Sequence, residues 1–214
     1  MSFLARILGR GREDSPTPAE RLIVVDTETS GLDPERDDLL AIGAVAVDGG
    51  GVNLEDSFEV VLKNESARDA ANVAVHGIGL EAQSRGTPPD EALSAFRDYA
   101  AGARCVGFHV DFDRKVLRRA CALHGCAFDE RAWLDLAQLA GALHPESYRY
   151  GGRSLDDWLA AFNIGVAARH NAAGDALATA ELFLRLRAVA SKQGARDFKA
   201  LLGAAKHQKW LGSD

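Results

Sequence analysis

Cysteine is scarce: three in 214 residues, an odd number in a chain this long, leave no disulfide framework and fit a reducing cytoplasm. No apolar stretch reaches the roughly 18 residues a membrane-spanning helix needs, so no membrane span is expected. A basic surplus is missing too. The 25 Lys and Arg stand against 31 Asp and Glu, a formal charge of -6, which argues against a protein that coats nucleic acid by bulk electrostatics. It does not exclude an enzyme that grips a strand end, because carboxylates gathered around divalent ions make a chain acidic on paper while the loaded site presents positive charge to a phosphate. Gly49-Gly50-Gly51 lacks the Lys-Ser/Thr ending of a nucleotide-binding loop and reads as a turn. No serine elbow of a triad hydrolase is found, nor an internal repeat or a low-complexity tract.

What is present suits one compact domain, with 47% hydrophobic and 26% charged residues. Phe3, Leu4, Ile7 and Leu8 share one helical face with Arg6, Arg10 and Arg12 nearby, a run too short for a secretory signal. It reads as a loosely docked end, with a partner-docking or membrane-surface helix as the alternative. Residues 13–20, polar and carrying two prolines, read as a linker. The expected division is therefore an N-terminal tail and linker over 1–20, a catalytic domain over 21–190 and a C-terminal helical extension over 191–214. That extension, with Lys199, Lys206, Lys209 and Trp210, suits either contact with a substrate or partner or simple packing.

Strands are expected over Arg21–Asp26, Leu39–Val47, Val52–Leu62 and Arg104–Phe108. The second and third are joined at the glycine cluster as a hairpin. Pro88 and Pro89 open a helix that runs to about Ala101, and further helices are expected near 112–124, 135–143, 154–162 and 173–190. This order suggests a mixed sheet: an antiparallel meander, then strands joined through helices lying on its faces.

Asp26-Thr27-Glu28 ends the first strand. Residues i and i+2 of extended backbone project to one face, so both carboxylates can reach one ion or two adjacent ions. Two buried carboxylates there would repel unless protonated or neutralised, and magnesium or manganese is the economical partner. Gly31 lets the chain turn tightly, so that backbone and substrate can approach. Further along, Asp111 and Asp113 compete at the start of a helix, one suiting a cap and the other a site, and spacing does not choose between them. His170 lies on a loop five residues before Asp175, at the opening of a late helix. Cys121, His124 and Cys126 fall within six residues, but a structural zinc site wants four ligands, so a packed helix end is the preferred reading.

Asp26-Thr-Glu-Thr-Ser-Gly31, Phe112-Asp113 and His170-x4-Asp175 resemble the three motifs of the DEDDh (DnaQ-like) branch of the 3'-5' exonucleases. Connecting text is similar as well: Gly31-Leu-Asp-Pro34, Ile42-Gly-Ala-Val45, Val75-His-Gly-Ile78, Ser154-Leu155 and Arg169-His-Asn-Ala-Ala-Gly-Asp-Ala176. The resemblance covers about residues 21–190 and implies an α/β fold, an RNase H-like mixed five-stranded sheet flanked by helices. It assigns Asp26, Glu28, Asp113 and Asp175 as ligands of two divalent cations, Mg2+ or Mn2+, and His170 as general base. It implies hydrolysis at a single-stranded or frayed nucleic-acid 3' end with release of nucleoside monophosphates, DNA being the expected substrate, in proofreading or repair. A DNA polymerase is the implied partner.

Thr29, Gly31, Leu32, His76 and Phe112 are the residues it places around the terminal nucleotide. Arg153, with Arg149 and Tyr150 about Gly151-Gly152, forms a basic and aromatic loop that could steer a single strand. Two departures stand out. Phe108-His109 replaces the family's common His-Asn before Phe-Asp, and Ala41 replaces a frequent Glu before Ile-Gly. The competing readings are a silent nucleic-acid or polymerase-binding module on the same fold and an RNA-directed exoribonuclease. An aspartyl-phosphate phosphatase would want Asp-x-Asp where this chain has Asp26-x-Glu28.

Overall fold

The computed structural model describes residues 21–49, 51–64, 78–148, 153–166 and 171–211. Its first strand, β1 (Leu22–Thr29), starts with four buried apolar residues and ends with four half-buried polar ones. Alternation sends Leu22 and Val24 into one hydrophobic cluster and Ile23 and Val25 into another, so β1 is a central strand covered on both faces. β2 (Leu39–Asp48) and β3 (Gly51–Val61) form the expected antiparallel hairpin. Its turn needs a left-handed residue, supplied by Gly49 at φ 44°.

The chain continues through α1 (Leu80–Ser84) and α2 (Pro89–Tyr99) to β4 (Arg104–Gly107), which pairs parallel with β1. α3 (Asp111–Leu123) then crosses over to β5 (Trp133–Asp135), parallel to β4. The remaining elements are helical: α4 (Leu136–Leu143), α5 (Pro145–Tyr148), α6 (Leu155–Ala161), α7 (Ala172–Lys192) and α8 (Phe198–Leu211). Strand order in the sheet is β3-β2-β1-β4-β5. The mixed five-stranded sheet flanked by helices is thus present. Its fifth strand does not show in the residue pattern, which puts Asp135 in a helix: three residues are too few to show a period.

The two faces of the sheet carry different helices. Leu22, Val24, Val45, Val47 and Leu134 pack with Leu139 of α4, Phe183 and Leu186 of α7, and Phe198 and Leu201 of α8. Ile23, Val25, Ile42 and Ala44 pack with Leu93 and Phe96 of α2 and Val116 and Leu117 of α3. Each fully buried Leu, Ile or Phe contributes roughly 1.5–3 kcal/mol of transfer free energy. The α8 residues Phe198, Leu201 and Ala205 belong to the first of these cores, so this part of the C-terminal segment packs onto the sheet. Lys209 and Trp210 fall outside the described side chains, and the N-terminal residues 1–20 outside the described residues. No helix among the described residues is long and apolar enough to cross a membrane.

Candidate active site

Asp26 and Glu28 continue the face of β1 that carries Leu22 and Val24, the face under α7. Helix α7 is brought there by its own first turn. Asn171 caps it, the side-chain Oδ1 accepting from the Gly174 amide at 2.7 Å, and the Asp175 amide donates to the Asn171 carbonyl at 2.9 Å. This fixes Asp175 in the opening turn, 8% exposed. The approach is close because Gly43, paired with Asp26 across β1 and β2, has no side chain; a Cβ there would lie 2.1 Å from the Ala172 carbonyl carbon.

Asp26, Glu28 and Asp175 therefore converge, each offering a carboxylate oxygen within 4.8 Å of the others. Three carboxylates at that spacing are tolerated only if protons or cations neutralise them. Oxygen donors alone, without sulfur or imidazole, suit hard ions such as Mg2+, Mn2+ or Ca2+. This trio is the one metal-capable group found among the described residues; Cys121, His124 and Cys126 form none. Cys121 is buried, and the Cys126 thiol faces the Asp90 and His124 carbonyls at 3.7 and 3.6 Å.

Thr27, between the two acids, points to the opposite face, where α3 begins. Its hydroxyl donates to Asp113 Oδ1 at 2.6 Å. Asp113 is 6% exposed, and burial pushes its carboxyl up to about 7, opposed by the hydrogen bonds from Thr27 and from backbone. Asp111 is largely exposed, 3.8 Å from Arg114. Of the two rival acids, Asp113 is thus the one turned inward, beside the end of β1 but outside the trio. Phe112 is half-buried and packs against the core on the α3 side of the sheet.

Behind Asp113 stands Asp135, which the sequence reading did not single out. It ends β5 and caps α4, accepting from the amides of Ala137 at 2.9 Å, Gln138 at 3.4 Å and His109 at 3.2 Å. Burial raises its pKa; the nearby His109 and these amides oppose the rise, and its charge in turn raises that of Asp113. His109 holds a left-handed φ of 58° to make this contact. The only sequence signal was the Phe108-His109 departure, which marked an altered contact without naming its partner.

The loop between β1 and β2 is tied within itself. The Thr29 hydroxyl donates to the Gly31 carbonyl at 2.6 Å, and the Ser30 amide to the Asp38 carbonyl at 2.9 Å. Leu32 stands out from it, 92% exposed. It is not a core residue. Arg153 lies over the Trp158 ring at 5.3 Å, a packed position for the one described cation of the expected basic loop. His170, His76, Arg149 and Tyr150 lie outside the described residues.

Comparison with known proteins bears on the same span. The model of the exonuclease family matches residues 23–183. A "DNA polymerase III subunit epsilon-like protein" of Rhodobacter capsulatus is 34% identical over 203 residues, covering 92% of this chain and 28% of the relative. A "DNA polymerase III PolC-type" of Thermotoga maritima is 28% identical over 182 residues, covering 85% of this chain and 13% of the relative. The chain thus spans less than a third of the length of these relatives. Among solved structures, E. coli Exonuclease I in complex with a dT13 oligonucleotide superposes with a TM-score of 0.69 at 18% identity, over 86% of this chain and 46% of that one. That likeness concerns the fold. The family match, over most of the chain, goes further: the chain belongs to the exonuclease family, with the RNase H-like fold of the DnaQ-like 3'-5' exonucleases that its motifs resemble.

Proposed function

We propose that this chain removes nucleotides from the 3' end of a single-stranded or frayed DNA, using two divalent cations, Mg2+ or Mn2+. The observation that carries the proposal is the convergence of Asp26, Glu28 and Asp175 at the end of β1. Such an acidic oxygen cluster is costly without cations, and cations are what a phosphodiester site requires. Bound ions would activate water and stabilise the departing 3'-oxygen. Asp26, Glu28 and Asp175 would hold them, with Asp113 contributing from the α3 side.

The chain's own groups do the rest. His170 would take the proton of the attacking water, since an imidazole has an ordinary pKa of about 6.5 and exchanges protons readily near neutrality. Thr29 and Gly31 would present backbone to the terminal nucleotide, and Leu32 would wedge against its base. His76 and Phe112 would border the pocket, and Arg153 would steer the strand. The Rhodobacter and Thermotoga relatives bear the names of DNA polymerase III proteins, and Exonuclease I was crystallised with a DNA single strand. Both support DNA as substrate, and the names of the relatives support a polymerase as partner.

Digestion of 5'-labelled single-stranded DNA, duplex DNA, mismatched primers and RNA with Mg2+ or Mn2+ tests the reading. Shortening from the 3' end with release of nucleoside monophosphates is expected, single-stranded and mismatched DNA ranking first. Binding without digestion would make the chain a silent module, and a preference for RNA would make it an exoribonuclease.

A further inference from the structure

We propose that Arg119 is a positioning residue, holding the Leu32 loop against α3 so that the terminal nucleotide meets a fixed wall. This rests on the exonuclease reading above. The loop's internal ties converge on Asp37. Its Oδ2 accepts from the Asp33 amide at 2.7 Å, its own amide donates to the Asp33 carbonyl at 2.8 Å, and its carboxylate lies within 3.5 Å of the Ser30 hydroxyl. Gly31 makes room for it, since a Cβ there would meet Asp37 Oδ2 at 2.5 Å. These bonds make the loop a compact unit, but they do not fasten it to the domain. Arg119 does, beside a longer contact from Asn64 Nδ2 to Asp38 Oδ2 at 3.3 Å: its guanidinium Nη2 donates to the Asp37 carbonyl.

The anchor is well placed. Arg119 lies on α3, six residues beyond Asp113, roughly 9 Å of helix rise. One rigid element thus carries an acid of the site and a fastening of the loop that bears Leu32. A leucine 92% exposed has little packing of its own, so its position depends on what holds its loop. A wall that is no longer held binds the terminal nucleotide less well without altering the reacting groups, which shows as a raised KM at unchanged kcat. The Nε of Arg119 is buried with no hydrogen-bond partner among the described residues, so one donor at the side-chain tip is what the contact uses. A lysine can supply that; a methionine of similar length cannot.

Steady-state digestion of a single-stranded oligonucleotide by wild type, Arg119→Met and Arg119→Lys tests this, with thermal melts of all three. Arg119→Met should raise KM at least fivefold with kcat within twofold and the melting temperature nearly unchanged. Arg119→Lys should stay within twofold of wild type in KM. An active wild type with Arg119→Met unchanged, with Arg119→Lys as impaired as the methionine variant, or with the loss following a fall in melting temperature would overturn the assignment alone. An inactive wild type would take down the exonuclease reading and this one with it.

Discussion

A single missing methyl group sets the distance between the two halves of the site. Gly43 lies across from Asp26 in the sheet and directly beneath the first turn of α7, where the Ala172 carbonyl oxygen would be 2.2 Å and the Ala173 nitrogen 2.4 Å from a Cβ. Backbone on both sides cannot yield as a flexible side chain would. In Gly43→Ala the helix must lift, which carries Asp175 away from Asp26 and Glu28. Overpacking of this kind costs about 1–3 kcal/mol. The expected outcome is a lower melting temperature together with at least a tenfold loss of Mn2+-dependent digestion; a variant with wild-type activity would show that the close approach is not needed. The sequence displayed Ile42-Gly43 as family-like text, but its reason is a tertiary approach between residues 129 positions apart (43 and 172), which no local pattern encodes.

Among elements, β1 is held at its start as firmly as it is used at its end. Arg21 grips Asp56 of β3 with two nitrogens at 2.6 and 2.7 Å, donates to the Tyr99 carbonyl at 3.1 Å and lies over the Tyr99 ring at 4.9 Å. The Tyr99 hydroxyl donates to the Asp56 carbonyl at 2.8 Å. The Arg21 guanidinium holds the Asp56 carboxyl below its ordinary value, so folding favours the ionised form. The sign follows: the stabilisation is complete above the unfolded carboxylate value of about 3.9 and fades as pH falls through the lower folded value. Both side chains are about a third exposed, which limits the bond to about 1 kcal/mol. Asp56→Asn should therefore melt below wild type at pH 7 and draw level with it in strong acid. A difference that persists undiminished at pH 2 would contradict this origin.

Legibility differed by element for physical reasons. β1, β2 and β3 are long, β-branched strands with turn residues between them, and their hairpin could be read from local pattern alone. β5 is three residues long and owes its existence to pairing with β4, a non-local fact. Local pattern consequently puts Asp135 inside a helix that it in fact caps and carries no sign of its contact with His109. The Asp26 and Glu28 pair was legible because strand periodicity alone puts i and i+2 on one face. Asp113 was selected over Asp111 only through family resemblance, and the structure turns Asp113 inward and leaves Asp111 exposed.

For the whole molecule, two cores on either side of one sheet hold two groups of acids on either side of one strand end. The α7 face supplies Asp175 to Asp26 and Glu28, and the α3 face supplies Asp113 to Thr27. The acidic trio is thus assembled by the packing of α7 on the sheet, and any change that loosens that packing should affect the site before it unfolds the domain. The most direct test is the digestion of a 5'-labelled single-stranded oligonucleotide in Mn2+ by wild type and Asp175→Asn, with circular dichroism on both. Wild type should give a ladder shortening from the 3' end, and Asp175→Asn, equally folded, should leave the oligonucleotide intact. Equal ladders from two folded proteins would contradict the assignment of the site to these carboxylates.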